Sequence, residues 1–179
     1  MHSLRPTKSF AIGVLALAAF LELGYLLATP PVVIVPDKIV TQWDSIWLRN
    51  KPAPCSAKSP AWCSGDNKEF LGCVAVKRNL GAWIVKSWQP ASDMKRMATT
   101  VSGTCSVAFN GMWHLHPAEV DVNELHLNFF RNLSGQDLTT LYETSPPARV
   151  SLMTWAPGQL TAAVIWRGKV VYPVQVEVR

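Results

Sequence analysis

"GMWHLHP", residues 111 to 117, sets two imidazoles two positions apart in an apolar run and closes on a proline. Read as a strand, it sends side chains at i and i+2 out of one face and the intervening ones out of the other. His114 and His116 then aim at one point, while Trp113 faces the opposite way, towards a core. The chain has four histidines, His2, His114, His116 and His126, so half of them sit in this tripeptide. Two nitrogens converging from one strand face suit a metal ion. A catalytic zinc usually takes three protein ligands and leaves a fourth position for water, so one more donor is required. Glu119, Asp121, Glu124, His126 and Asp137 all lie downstream. Of these, His126 stands among Leu125, Leu127 and Phe129, a setting for a packed or exposed ring rather than a ligand.

Working outward, "EFLGCVAV" (69–76) and "GAWIVKSWQP" (81–90) flank the polar "KRNL", and their β-branched and aromatic content reads as a hairpin. "GTCSVAFNGMWHLHP" is the next strand. "AEVDVNELHLNFFRNL" has a mixed pattern, helix or irregular insertion. "SGQDLTTLYETSPP" reads as a short helix that Ser134 can cap and the two prolines stop. Three further strand-like runs finish the chain, "ARVSLMTWAP", "QLTAAVIWRG" and "KVVYPVQVEV", separated by Pro-Gly and Arg-Gly-Lys turns. Strands, then a helix, then strands again indicate an α+β domain, a mixed β-sheet flanked by helices. There are no internal repeats.

The 179 residues suit one folded domain. Seventeen basic against twelve acidic side chains give +5, but the positives are scattered, which argues against a nucleic-acid partner. Arg5 and Lys8 precede "FAIGVLALAAFLELGYLLA", Phe10 to Ala28, interrupted by one charge, Glu22. Its twelve uninterrupted apolar residues suit a signal h-region, and its full length, roughly 28 Å as a helix, nearly spans a bilayer. Residues 1–29 are therefore expected to form a hydrophobic helix, signal peptide or transmembrane anchor, that directs the remainder out of the cytoplasm. "TPPVVIVPDK" follows, and its three prolines point to an extended spacer. "KIVTQWDSIWLRN" is a short helix or strand, and residues 51 to 67 a Pro/Ser/Cys-rich loop. The expected division is 1–29, then a spacer and Cys-containing loop over 30–67, then a folded domain over 68–179. Four cysteines, Cys55, Cys63, Cys73 and Cys105, allow three pairings in an oxidising compartment. Cys55–Cys63 across the loop with Cys73–Cys105 between strands is preferred. A thiolate zinc site is the rival, weakened because no C-x-x-C occurs.

"HLHP" is followed by "SGQD", a Ser-x-x-Asp, and preceded by "KEFLG". In this order the motifs resemble the JAMM signature of the Mov34/MPN/PAD-1 metallopeptidases: glutamate then glycine (Glu69, Gly72), His-x-His-Pro (His114, His116, Pro117), then Ser-x-x-Asp (Ser134, Asp137). The resemblance covers roughly residues 66 to 170. It implies an MPN/JAB-like, cytidine-deaminase-like sandwich and hydrolysis of a peptide or isopeptide amide. His114, His116 and Asp137 would bind Zn²⁺, with Glu69 carrying the proton and Ser134 donating to the oxyanion. The implied partners are a peptide or protein substrate and, through the N-terminal helix, a membrane. The chain departs from the family pattern in two places. Sixteen residues, Ala118 to Leu133, separate Pro117 from Ser134, about ten more than the usual spacer. Leu115 replaces the usual small hydroxyl between the histidines. A non-catalytic MPN-like interaction scaffold in an envelope-associated assembly, and metal storage, are the competing functions.

Overall fold

The computed structural model describes residues 31–50, 68–79, 81–96, 100–116, 131–143 and 148–179. The expected hydrophobic helix of residues 1–29, Cys55 and Cys63, and most of the 118–133 insertion lie outside the described residues. Along the described chain run β1 (Val32–Val35), α1 (Asp37–Asn50), β2 (Phe70–Asn79), β3 (Ala82–Pro90), β4 (Ser92–Arg96), β5 (Val101–Thr104) and β6 (Gly111–Leu115). Then come α2 (Gly135–Glu143), β7 (Val150–Ala156), β8 (Gln159–Trp166) and β9 (Lys169–Val178).

The β7–β8–β9 meander forms where alternation and turn residues place it, and the β2–β3 hairpin forms with a tighter turn than expected: Lys77, Arg78 and Asn79 of the polar "KRNL" belong to β2 and pair with β3. At the β8–β9 turn Arg167 and Gly168 both have positive φ, 52° and 75°, the backbone that a two-residue hairpin matched to strand twist demands. β6 pairs antiparallel with β2 and parallel with β7. These six strands alone would make the open mixed sheet expected of an α+β domain.

That expectation fails at β1. Val32–Val35 lies parallel to both β3 and β9, and so joins the two free edges into a closed barrel of order β1-β3-β2-β6-β7-β8-β9. The molecule is a β-barrel carrying two helices among the described residues, not an α+β sandwich. The prolines that mark 29–38 as spacer flank the strand without entering it: Pro31 precedes β1 and Pro36 follows it. Closure by this seventh strand removes the unpaired edges that the other six would leave on β3 and β9. The folded body accordingly runs from Pro31 to Arg179 rather than from Lys68.

α1 is also part of that body. Ile39, Val40, Trp43, Ile46 and Trp47 recur at helical spacing and are buried in one cluster with the inward-facing side chains of the barrel strands. Trp43 stacks on Trp113, ring centroids 4.7 Å apart and planes nearly parallel, and neither ring is exposed. Such a pair contributes about 1 kcal/mol beyond its burial. Gly72 follows from this packing, since a Cβ there would lie 2.7 Å from the Trp113 ring. A second cluster covers the outside of β7 and β8, where Leu138 and Leu141 of α2 meet Met153, Ala163 and Ile165.

A two-stranded ribbon, β4–β5, projects beside β2. Cys73 of β2 is bonded to Cys105, just beyond β5, at a Cα–Cα distance of 5.6 Å. The expected Cys73–Cys105 pairing is therefore present, and it implies an oxidising environment. No helix among the described residues is long and apolar enough to cross a membrane.

Candidate metal centre

The β6 alternation decides which side chains meet. Trp113 and Leu115 point into the barrel and are fully buried, as the strand reading expects of Trp113. His114 points outward beneath α2, and His116, one residue past the strand, leaves on the same side. Their Nε2 atoms are 3.3 Å apart. Two main-chain bonds fix the His116 peptide: its N–H donates to the Thr154 carbonyl at 3.0 Å, and its carbonyl accepts from Trp47 Nε1 at 3.1 Å.

Glu69 arrives by register. Phe70 lies opposite Leu115 and Leu71 opposite His114, so one step further brings Glu69 against His116. Its Oε1 is 3.9 Å from His116 Nε2.

Asp137 arrives from the far side of the long insertion. The returning chain is docked on the barrel wall: Arg131 lies over the Trp155 ring, and its carbonyl accepts from Thr161 Oγ1. The Tyr172 hydroxyl accepts from the Leu133 N–H at 3.0 Å and donates to Asn132. α2 then opens with a capping box. Asp137 N–H donates to Ser134 Oγ, while the Ser134 N–H and hydroxyl both donate to Asp137 Oδ2 at 2.7 Å. With Oδ2 held, Oδ1 faces His114 Nε2 at 3.5 Å.

All four side chains that the sequence singles out around the cation position thus meet, together with Ser134. The ligand atoms of His114, His116 and Asp137 all lie within 4.8 Å of one another. Around a tetrahedral zinc with bonds of about 2.05 Å, neighbouring ligand atoms sit about 3.3 Å apart. The 3.3 Å and 3.5 Å separations on His114 match that spacing, and with the third edge inside 4.8 Å the three donors could hold a cation. Of the other donors considered in the sequence, Glu119, Asp121, Glu124 and His126 lie outside the described residues.

The electrostatics are those of a buried site. His114 is 3 % exposed, and burial pushes its pKa down to about 4, against the pull of Asp137 and with help from His116. At neutral pH its ring is uncharged, the form that binds metal. Glu69, 8 % exposed, is pushed up to about 8, first by burial and then by the charge of Asp137.

Trp47, Tyr172 and Arg96, which support the site, carry no motif. Each bonds to main-chain atoms 27 to 69 residues away. Neither the known family models nor curated proteins give a match to this chain. The fold and site define a closed β-barrel bearing a His₂Asp cluster and a buried glutamate on its outer wall.

Proposed function

We propose that this barrel is a zinc-dependent amidase that hydrolyses a peptide or isopeptide bond outside the cytoplasm. One observation carries the reading: two imidazoles and an oriented carboxylate converge, with a second, buried carboxylate beside them. The JAMM resemblance assigns these residue types the same duties. His114, His116 and Asp137 would hold Zn²⁺. When bound, the ion supplies Lewis acidity towards the carbonyl and lowers the pKa of a water to near neutrality.

The chain's own groups do the rest. Glu69 takes a proton from the attacking water and passes it to the departing amine, and its low exposure keeps that proton from bulk solvent. Asp137 keeps its orientation because Ser134 donates twice to Oδ2. In this geometry the Ser134 hydroxyl proton is committed to Asp137, so Ser134 acts first as an orienting residue. Donation to a developing oxyanion requires that hydroxyl to turn. The oxidising compartment implied by the disulfide, with the apolar segment of residues 1–29 as tether or signal, makes an exported peptide or protein the substrate.

The test is metal analysis and turnover on the full chain purified in detergent. About one zinc per chain is expected. Cleavage of a random-sequence quenched-fluorescent peptide mixture should fall at least 10²-fold in Glu69→Gln. A chain that takes up no zinc at micromolar free metal overturns the reading and leaves the scaffold. Zinc bound, with Glu69→Gln indistinguishable from wild type, leaves metal storage.

A further inference from the structure

Glu69 stands one residue ahead of β2, where the ladder to β3 runs out. Pro90, opposite Gly72, has no N–H to offer, and the last main-chain rung is Ala91 N–H to the Leu71 carbonyl at 3.1 Å. In an antiparallel pair the carbonyl two residues on faces the same side and needs a donor too. Arg96, the last residue of β4, supplies it. Its Nε donates to the Glu69 carbonyl at 2.8 Å, and its Nη2 donates to the Lys68 carbonyl at 3.1 Å and to Asn50 Oδ1 of α1. The guanidinium also lies over the Phe70 ring, 5.5 Å from its centroid.

We propose that Arg96 is the positioning residue for Glu69: its fork replaces the missing strand rungs and fixes the peptide from which the carboxylate reaches His116. The proposal rests on the reading of Glu69 as the proton carrier. The geometry suits arginine in particular, because a planar fork serves several acceptors at once and an ammonium cannot copy it. Arg96 is itself placed by the β4–β5 ribbon, which the Cys73–Cys105 bond fastens to β2. Arg96 and Arg49 also line a groove of about 620 Å³ with Gln42, Asn50, Phe70 and Trp88. Arg49 donates Nε to the Ser45 carbonyl of its own helix turn, so it serves as the control cation.

The experiment uses full-length Arg96→Ala, Arg96→Lys and Arg49→Ala, and Arg96→Ala in the Glu69→Gln background. The first readout, amide hydrogen exchange over residues 68–71, needs no substrate. Arg96→Ala should speed exchange there about tenfold or more while β6 keeps its wild-type protection, with Arg49→Ala unchanged. Zinc content should stay at the wild-type value in every variant. On the peptide mixture, Arg96→Ala should lower kcat about 10²-fold with KM within about twofold, the scale of a 1 Å misplacement. Arg96→Lys should recover part of this, and Arg96→Ala should add nothing in the Glu69→Gln background.

Unchanged exchange over 68–71 in Arg96→Ala overturns the proposal whatever the activity. So does an equal loss in Arg49→Ala, which would make the groove's charge the cause, or a full further loss in the Glu69→Gln background. Should Arg96→Ala fail to fold, Asn50→Ala, which frees one end of the fork, is read by the same exchange. Absence of zinc or turnover in wild type sinks the amidase reading, while the exchange result still decides whether Arg96 holds Glu69.

Discussion

At the scale of single residues, the division of labour in Asp137 has a direct test. Its Oδ2 belongs to Ser134 and its Oδ1 to the cation position. Ser134→Ala should therefore weaken zinc binding by about 10- to 100-fold, read by competition with a chromophoric chelator, and cost about 1 kcal/mol of helix cap. A pure oxyanion donor would lower turnover and leave metal affinity intact. Glu69 and His114 give the metal-free protein a pH signature. Glu69 binds its proton more tightly when folded, so its contribution is complete below about pH 4.5 and is lost as pH rises through about 8. His114 runs the other way: its pKa falls from 6.5 to about 4 on folding, so its contribution is lost as pH falls through that interval. Of these two, Glu69 alone acts between pH 6.5 and 8. Urea midpoints of the chelator-treated protein should fall across that window, and Glu69→Gln should flatten the slope. The histidine pair is legible in the sequence because strand period alone joins i and i+2. Asp137 is legible because the capping pattern and the metal pattern share Ser-x-x-Asp.

The hairpins are legible at the scale of elements. In β2–β3 and β7–β9, alternation and Gly-containing turns act between neighbours in the chain, which a sequence records. The ribbon is not. "GTCSVAFNGMWHLHP" reads as one strand but divides into β5 and β6, with Cys105 between them bonded to Cys73. Supporting contacts from Trp47, Arg96 and Tyr172 are equally hidden, since each reaches a peptide group and a peptide group looks alike at every position. Cutting the disulfide should expose how much the ribbon depends on it. For a loop of 32 residues, Cys73→Ser with Cys105→Ser should cost roughly 3–4 kcal/mol in urea unfolding. Zinc binding should survive, because no ligand comes from the ribbon.

For the whole molecule, four residues separate the expected open sheet from the barrel observed. "VVIV" between prolines resembles a solvated extended spacer, and its strand character exists only because β3 and β9 flank it. No local pattern reports partners so remote. The two readings differ in what a proline does there. In a spacer Ile34→Pro is neutral, whereas in a strand paired on both sides it removes a ladder bond and should cost about 1–3 kcal/mol, visible as a lowered urea midpoint. β1 also ties into the far end of the described chain: Asp37 N–H donates to the Arg179 carbonyl and Arg179 N–H to the Val35 carbonyl. β1 and β9 are roughly 140 residues apart, so the ring shuts late. A nascent polypeptide halted before β9, or clipped ahead of it, bares two raw strand rims at once, one on β1 and one on β8. Such a fragment is a template for self-association. Only a ribosome that has passed residue 178 releases a product free of that hazard.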